Sequence, residues 1–173
     1  MSKVPEYPNA VVERAQVTSN SSAIRKILED TGTIAVVGLS DDWSRPSNFA
    51  AKYMQEHGYT IVPVNPKYEF VLGEKCYRSL DDVEKPVDMV DCFRPPEFLP
   101  KILDSAVRLK AKYFWTQIGI IHEGVAERAL KEGMGVVMDR CVKIEHARLF
   151  GGLGFVGVNT GVISSKRSRI VHN

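Results

Sequence analysis

Between Thr33 and Asp139 the apolar positions alternate between unbroken runs and helical spacing. TIAVVG (33–38) is a continuous β-branched run, as a strand covered on both faces requires. Residues 46–57 place Phe49, Ala50, Tyr53 and Met54 on one helical stripe, ended by Gly58. YTIVPVN (59–65) is a second run, in which Pro63 lacks the ladder donor and so predicts an edge strand or a bend. VDMVDCF (87–93) is a third. Helical spacing returns at 100–110 through Ile102, Leu103, Ala106 and Val107. YFWTQIGI (113–120) predicts a fourth strand with its exit loop, and 123–132 a helix carrying Val125, Ala126, Ala129 and Leu130. GVVMD (135–139) predicts the fifth strand.

The flanks read differently. Residues 1–19, with Pro5 and Pro8, predict an arm with little structure of its own. Ser21 or Ser22 can cap a helix presenting Ala23, Ile24, Ile27 and Leu28, stopped by Gly32. The stretch 66–86 shows no regular pattern. The Gly-rich tail of 150–173, beginning FGGLGFVGVNTGV, suits a covering strand, a homodimer contact or a loose end. The expected organisation is therefore an arm (1–19), one domain (20–149) and the tail. Strands separated by helices of about ten residues predict a three-layer α/β fold on a five-stranded parallel sheet. Ligands of such sheets bind outside the carboxyl ends of the strands, which directs attention to the loops after residues 38, 65, 92, 116 and 139.

Composition narrows the function classes. A chain of 173 residues with 44% hydrophobic and 25% charged residues suits one ordinary globular domain. A net charge of +2 without a clustered basic stripe argues against nucleic acid. No apolar run approaches the roughly 18 residues of a membrane span, and nothing resembles a signal peptide. Cys76, Cys92 and Cys141 are odd in number and widely spaced, which predicts reduced thiols and a cytoplasmic address. Cys92, inside an apolar run, reads as a small buried residue.

The loops carry the candidate chemistry. In GLSDDWSRPS (38–47), Gly38 permits a tight turn, and the amides of Leu39, Ser40 and Asp41 can face an anion ahead of a helix starting near Pro46. Arg45 adds a cation and Ser40, Ser44 and Ser47 add hydroxyls; the same residues also suit a plain strand-to-helix turn. The dinucleotide signature GxGxxG is missing, since Ser40 and Trp43 stand where glycines would. The second strand ends in Asn65, Pro66 and Lys67 rather than in the acid that accepts from a ribose hydroxyl in nicotinamide domains. Lys67 favours a ribose bearing an extra phosphate, as in coenzyme A or NADP. In DCFRPPE (91–97), Phe93, Arg94 and Pro95 can wall an adenine, or Phe93 can belong to the core. His122, beside Gln117 and Trp115, reads as a helix cap or surface residue more readily than as a base. Arg140 with Asp139 or Glu145 reads as a structural ion-pair cluster, and too few ligands converge near Cys141 and His146 for a metal.

Taken together, GLSDDWSRPS, PVNP, DCFRPPE, WTQIGI and MDRCVKIEHARL resemble the stand-alone CoA-binding proteins of the YccU type, related to the CoA-binding domain of succinyl-CoA synthetase alpha chains. The resemblance runs from about residue 24 to residue 149. It implies a Rossmann-like sheet with coenzyme A as the ligand. The loop Gly38, Leu39, Ser40 and Asp41 would cradle the pyrophosphate, with Arg45 and Ser47 in support. Lys67 would face the 3′-phosphate, and Phe93, Arg94 and Pro95 would line the adenosine. The adjacent acids Asp41 and Asp42 are compatible with that cradle only if they face solvent. The phosphohistidine domain of the synthetases does not fit within this length, so their ligase reaction is not implied. The leading expectation is a non-catalytic carrier or sensor of CoA or acyl-CoA, its thiol arm near the fourth and fifth loops. The rivals are an acyl-CoA transferase or thioesterase using His122, Cys141 or His146, and an NADP-dependent reductase or redox sensor.

Overall fold

The computed structural model describes residues 20–151. The elements are α1 (Ser21–Asp30), β1 (Thr33–Val37), α2 (Pro46–Glu56), β2 (Thr60–Val64), β3 (Phe70–Val71), β4 (Glu74–Lys75), β5 (Met89–Cys92), α3 (Leu99–Arg108), β6 (Tyr113–Thr116), α4 (Glu123–Lys131), β7 (Gly135–Val137) and α5 (Val142–Phe150). Short 3₁₀ turns span Leu80–Asp82 and Pro96–Phe98. Five strands form one sheet in the order β2-β1-β5-β6-β7, every neighbouring pair parallel. The expected three-layer α/β architecture is present. Readings of residues 1–19, and of the tail beyond Gly151, lie outside the described residues.

The central strands are mainly apolar on both faces because both faces are covered, although β5 and β6 each bury one polar side chain, Asp91 and Thr116. Ala35 and Val37 of β1 join a core built with Leu99, Leu103 and Ala106 of α3 and Val125, Ala126 and Ala129 of α4. Ile34 and Val36 point the other way, into a core with Ile24 and Leu28 of α1, Met54 of α2 and Leu149 of α5. Burying a side chain of this size is worth about 1.5–3 kcal/mol, so the alternation along β1 ties the two helical layers to one strand.

Pro63 lies on β2, which is an edge strand as its missing donor predicts. That edge is covered locally. The Tyr77 amide donates to the Pro63 carbonyl at 2.9 Å, and the Asn65 amide to the Tyr77 carbonyl at 2.8 Å.

Three local expectations are corrected, and one helix that no expectation covered is added. The α1 cap is Asn20, whose side chain accepts from the amides of Ser22 and Ala23 at 2.9 and 3.3 Å; Ser21 and Ser22 lie inside the helix. Phe49 is 42% exposed, with the Lys143 ammonium 5.0 Å from its ring centre, so α2 buries Ala50, Ala51 and Met54 instead. The stretch 66–86 is ordered: β3 and β4 form a hairpin across Leu72 and Gly73, both at positive φ, and Val71, Cys76, Leu80 and Val83 are buried. Finally, 142–150 is a helix whose inward stripe is Val142, Glu145, His146 and Leu149. Two polar residues on that stripe hide it from a hydrophobic pattern.

Candidate functional site

Strand order runs outward in both directions from the β1–β5 pair, so the loops after these two strands diverge and leave a crevice. Two connected lobes fill it, of about 370 and 400 Å³. Gly38, Asn65, Lys67, Phe93 and Arg94 line both.

The first lobe lies against α3. Its apolar wall includes Val37, Val64, Leu80, Phe98 and Ile102, and its cations are Lys67, Arg78, Arg94 and Lys101. The Arg94 guanidinium sits 4.3 Å above the Phe98 ring centre, which holds it as a plane at the wall. The second lobe lies over the start of α2 and adds Ser40, Arg45, Pro46, Ser47 and Tyr68. No Asp or Glu lines either lobe, whereas five Lys or Arg residues do.

Gly38 occupies the point of divergence at φ +87°. A Cβ there would lie 3.0 Å from Cδ of Arg94 and 3.3 Å from the Phe93 carbonyl oxygen. Glycine therefore serves both the left-handed turn and the close approach of the third loop.

The expected cradle of bare amides is only partly bare. The Gly38 amide donates to the Val64 carbonyl at 2.8 Å, the Ser40 amide to Oγ of Ser47 at 3.1 Å, and the Asp42 amide to Oγ of Ser40 at 3.1 Å. The loop is braced by its own serines, which shifts the attraction for an anion toward side-chain cations. The α2 terminus stays open, since its N-cap is Arg45 and no side chain caps it; Pro46 opens the helix.

Asp41 and Asp42 are exposed and line neither lobe. Asp42 accepts from the Ser44 hydroxyl at 2.7 Å and amide at 2.9 Å and lies 3.9 Å from Arg45; the Ser44 bonds hold its carboxyl below the ordinary value.

Of the residues singled out in the sequence, Gly38, Ser40, Arg45, Ser47, Lys67, Phe93 and Arg94 line the cleft. Leu39 is buried in the core, and Pro95 and Asp41 are exposed away from the lining. Sequence reasoning missed Arg78 and Lys101. It also missed what Asn65 does. Its Nδ2 donates to the Leu39 carbonyl at 2.9 Å, while its Oδ1 accepts from the Lys67 amide at 3.0 Å. One side chain thus clasps the first loop to the second.

The fourth and fifth loops are different. His122 caps α4, accepting from the Val125 amide at 3.2 Å. Gln117 is buried, donating to Asp91 at 2.6 Å. Burial pushes the Asp91 carboxyl up to about 7 against that hydrogen bond. Glu145, also buried, takes Arg140 at 3.0 Å and Arg148 at 2.6 Å, the structural cluster its spacing suggests. Nδ1 of His146 meets the Tyr53 hydroxyl at 3.1 Å, and burial lowers its pKa. Burial raises the thiols of Cys92 and Cys141, disfavouring the thiolate a nucleophile needs.

A parallel sheet of this order, with its cleft at the divergence, defines a Rossmann-like nucleotide-type fold. The chain belongs to the CoA binding domain family, whose profile matches residues 32–147. It is 39% identical over 128 residues to the uncharacterized protein YneT of Bacillus subtilis (strain 168), covering 74% of this chain and 95% of that protein. Over 73 residues it is 32% identical to an ADP-forming acetate–CoA ligase of Methanocaldococcus jannaschii, covering 42% of this chain but only 10% of the ligase. A solved structure of a hypothetical protein from Pyrococcus horikoshii OT3 superposes with a TM-score of 0.74 at 35% identity, covering 86% of this chain and all of that one. Family membership supports binding of coenzyme A. No helix among the described residues is long and apolar enough to cross a membrane.

Proposed function

We propose that the chain holds coenzyme A, free or acylated, in this cleft and serves as its carrier or sensor. One observation carries the reading: five cations and no carboxylate line a crevice at the β1–β5 divergence, beside an uncapped helix start. Fields from such a wall favour a multiply charged anion, and more so against low-dielectric walls. In this reading the pyrophosphate lies over Gly38, Ser40, Ser47 and Arg45, next to the α2 terminus. Lys67 faces the 3′-phosphate, and Phe93 and Arg94 flank the adenosine, with Pro95 outside the lining. Leu39 acts through its carbonyl, which the Asn65 amide holds, and Asp41 stays clear of the anion.

Calorimetric titration of the full chain with coenzyme A, NADP and NAD tests this. The expected outcome is saturable one-to-one binding of coenzyme A that weakens with added salt, and no binding of NAD at the same concentration. Tighter binding of NADP than of coenzyme A, or no binding of either, overturns it. Incubation with a panel of acyl-CoAs, followed by assay of free thiol, separates a carrier from a hydrolase. No thiol release is expected; catalytic release would remove the carrier reading.

A further inference from the structure

We infer that the lobe against α3 selects ligands by a monoester phosphate carried apart from their diphosphate, and that Arg78 and Lys101, together with Lys67, make that selection. The inference rests on the coenzyme A reading of the same cleft. The two lobes are built differently. The α2 lobe has a helix start, two serine hydroxyls and Arg45, whose guanidinium lies 3.9 Å from Asp42. The α3 lobe also takes in a helix start, with Phe98 at the N-cap of α3 and Lys101 in its first turn, and differs in its larger set of cationic side chains, Lys67, Arg78, Arg94 and Lys101, set on an apolar wall. Lys67 lines both lobes, whereas Arg78 and Lys101 line only this one.

Their backbones are anchored though their side chains are exposed. Arg78 follows Tyr77, whose amide and carbonyl bond the edge of β2 at Pro63 and Asn65. Lys101 stands in the first turn of α3, whose Leu99 and Leu103 are fully buried. The acid of the adjoining 3₁₀ turn, Asp81, is paired with Arg108 and also feels the charge of Lys101. Among the described residues no ion pair takes Lys67, Arg78 or Lys101.

Three cations share an apolar wall of Val64, Leu80 and Ile102, Lys101 partly offset by Asp81, and all three attract an arriving anion. A phosphate monoester carries about −1.5 to −2 near pH 7 and offers three acceptor oxygens, more charge than a single diphosphate oxygen and all that a ribose hydroxyl lacks. The arginine adds a planar fork suited to phosphate, the lysines point charges. The favoured ligand class is therefore a nucleotide bearing both a diphosphate and a separate ribose monoester; nucleoside 3′,5′-bisphosphates, which keep the ribose 3′-monoester and lack the diphosphate, are the smallest fragments expected to enter this lobe.

The experiment measures affinities for coenzyme A and dephospho-coenzyme A in the wild type, Arg78→Ala, the Arg78→Ala/Lys101→Ala pair and Arg45→Ala, with thermal melts to verify folding. The wild type is expected to favour coenzyme A by about tenfold or more, as charged hydrogen bonds warrant. That ratio falls below about threefold in the double variant, with Arg78→Ala between, as the same charged bonds are removed. Arg45→Ala weakens both ligands and keeps the ratio. Adenosine 3′,5′-bisphosphate displaces coenzyme A from the wild type. A wild-type ratio near one, or a ratio unchanged in the double variant, overturns the selection while leaving coenzyme A binding intact. No binding of coenzyme A to the wild type overturns both.

Discussion

The carboxyl edge of the sheet has two halves with opposite electrostatic states. After β1, β2 and β5 the charged side chains that line the cavity are all cations, with Arg45 3.9 Å from Asp42 and Lys101 near Asp81. After β6 and β7 the polar groups are bound to one another. The Thr116 hydroxyl donates to the Ile120 carbonyl at 2.6 Å, the Gly119 amide to Asp139 at 2.7 Å, and the Trp115 indole to the Arg140 carbonyl at 2.7 Å. Both halves hold residues of the types used in catalysis or binding. What separates them is whether those residues already have partners, and a histidine or cysteine in the closed half is occupied by holding the fold.

The largest effect is expected in the closed half. Glu145→Ala leaves Arg148 and Arg140 without their shared acid, and removing one member of a buried pair costs about 3–5 kcal/mol. Denaturant unfolding should report that loss, and coenzyme A titration below the melting point should report none. Equal damage to both readouts would mean that the two halves are coupled.

The next effect belongs to the open half. Gly38→Val forces a β-branched residue to φ +87° and sets Cβ against Arg94 and the Phe93 carbonyl. Strain of about 1–3 kcal/mol is expected in the melt, with loss of coenzyme A binding by calorimetry. Retained affinity would show that the approach of the third loop to the first is unnecessary for the ligand.

The third prediction concerns pH. The ordinary carboxylate value is 3.8 and that of folded Asp91 is about 7. Folding thus favours the protonated acid, and its contribution is complete below about pH 4 and lost as pH rises through about 7. Asp91→Asn should flatten the stability profile over that window and raise stability above pH 7 by about 1–3 kcal/mol, read by urea unfolding across pH. A slope unchanged by the substitution would assign it to other groups.

Much of this division was visible in the sequence. The strands show because a parallel sheet covered on both sides demands unbroken apolar runs, and TIAVV supplies one in which Ile34, Ala35, Val36 and Val37 each enter a core. Gly38 and Lys67 were legible because turn chemistry and loop charge are local properties. Arg78 and Lys101 were not. They are 23 positions apart in the chain, and only the return of the edge hairpin to β2 brings both to one cavity. Helix α5 was hidden for a related reason: Glu145 and His146 are buried by virtue of partners remote in sequence or on other elements, Arg140 and Tyr53 among them. Phe49 misleads in the opposite direction, since an aromatic at helical spacing can find a lysine at the surface instead of a core.

Asn65 gives the cleft a mechanical property as well as a chemical one. With its main-chain amide bonded to Tyr77 and its side chain bonded to both Leu39 and Lys67, it locks three segments at a single residue. A receptor whose walls are already fixed forfeits little chain entropy when its guest arrives, so more of each contact survives as affinity. The guest, long and jointed, must supply the adaptation.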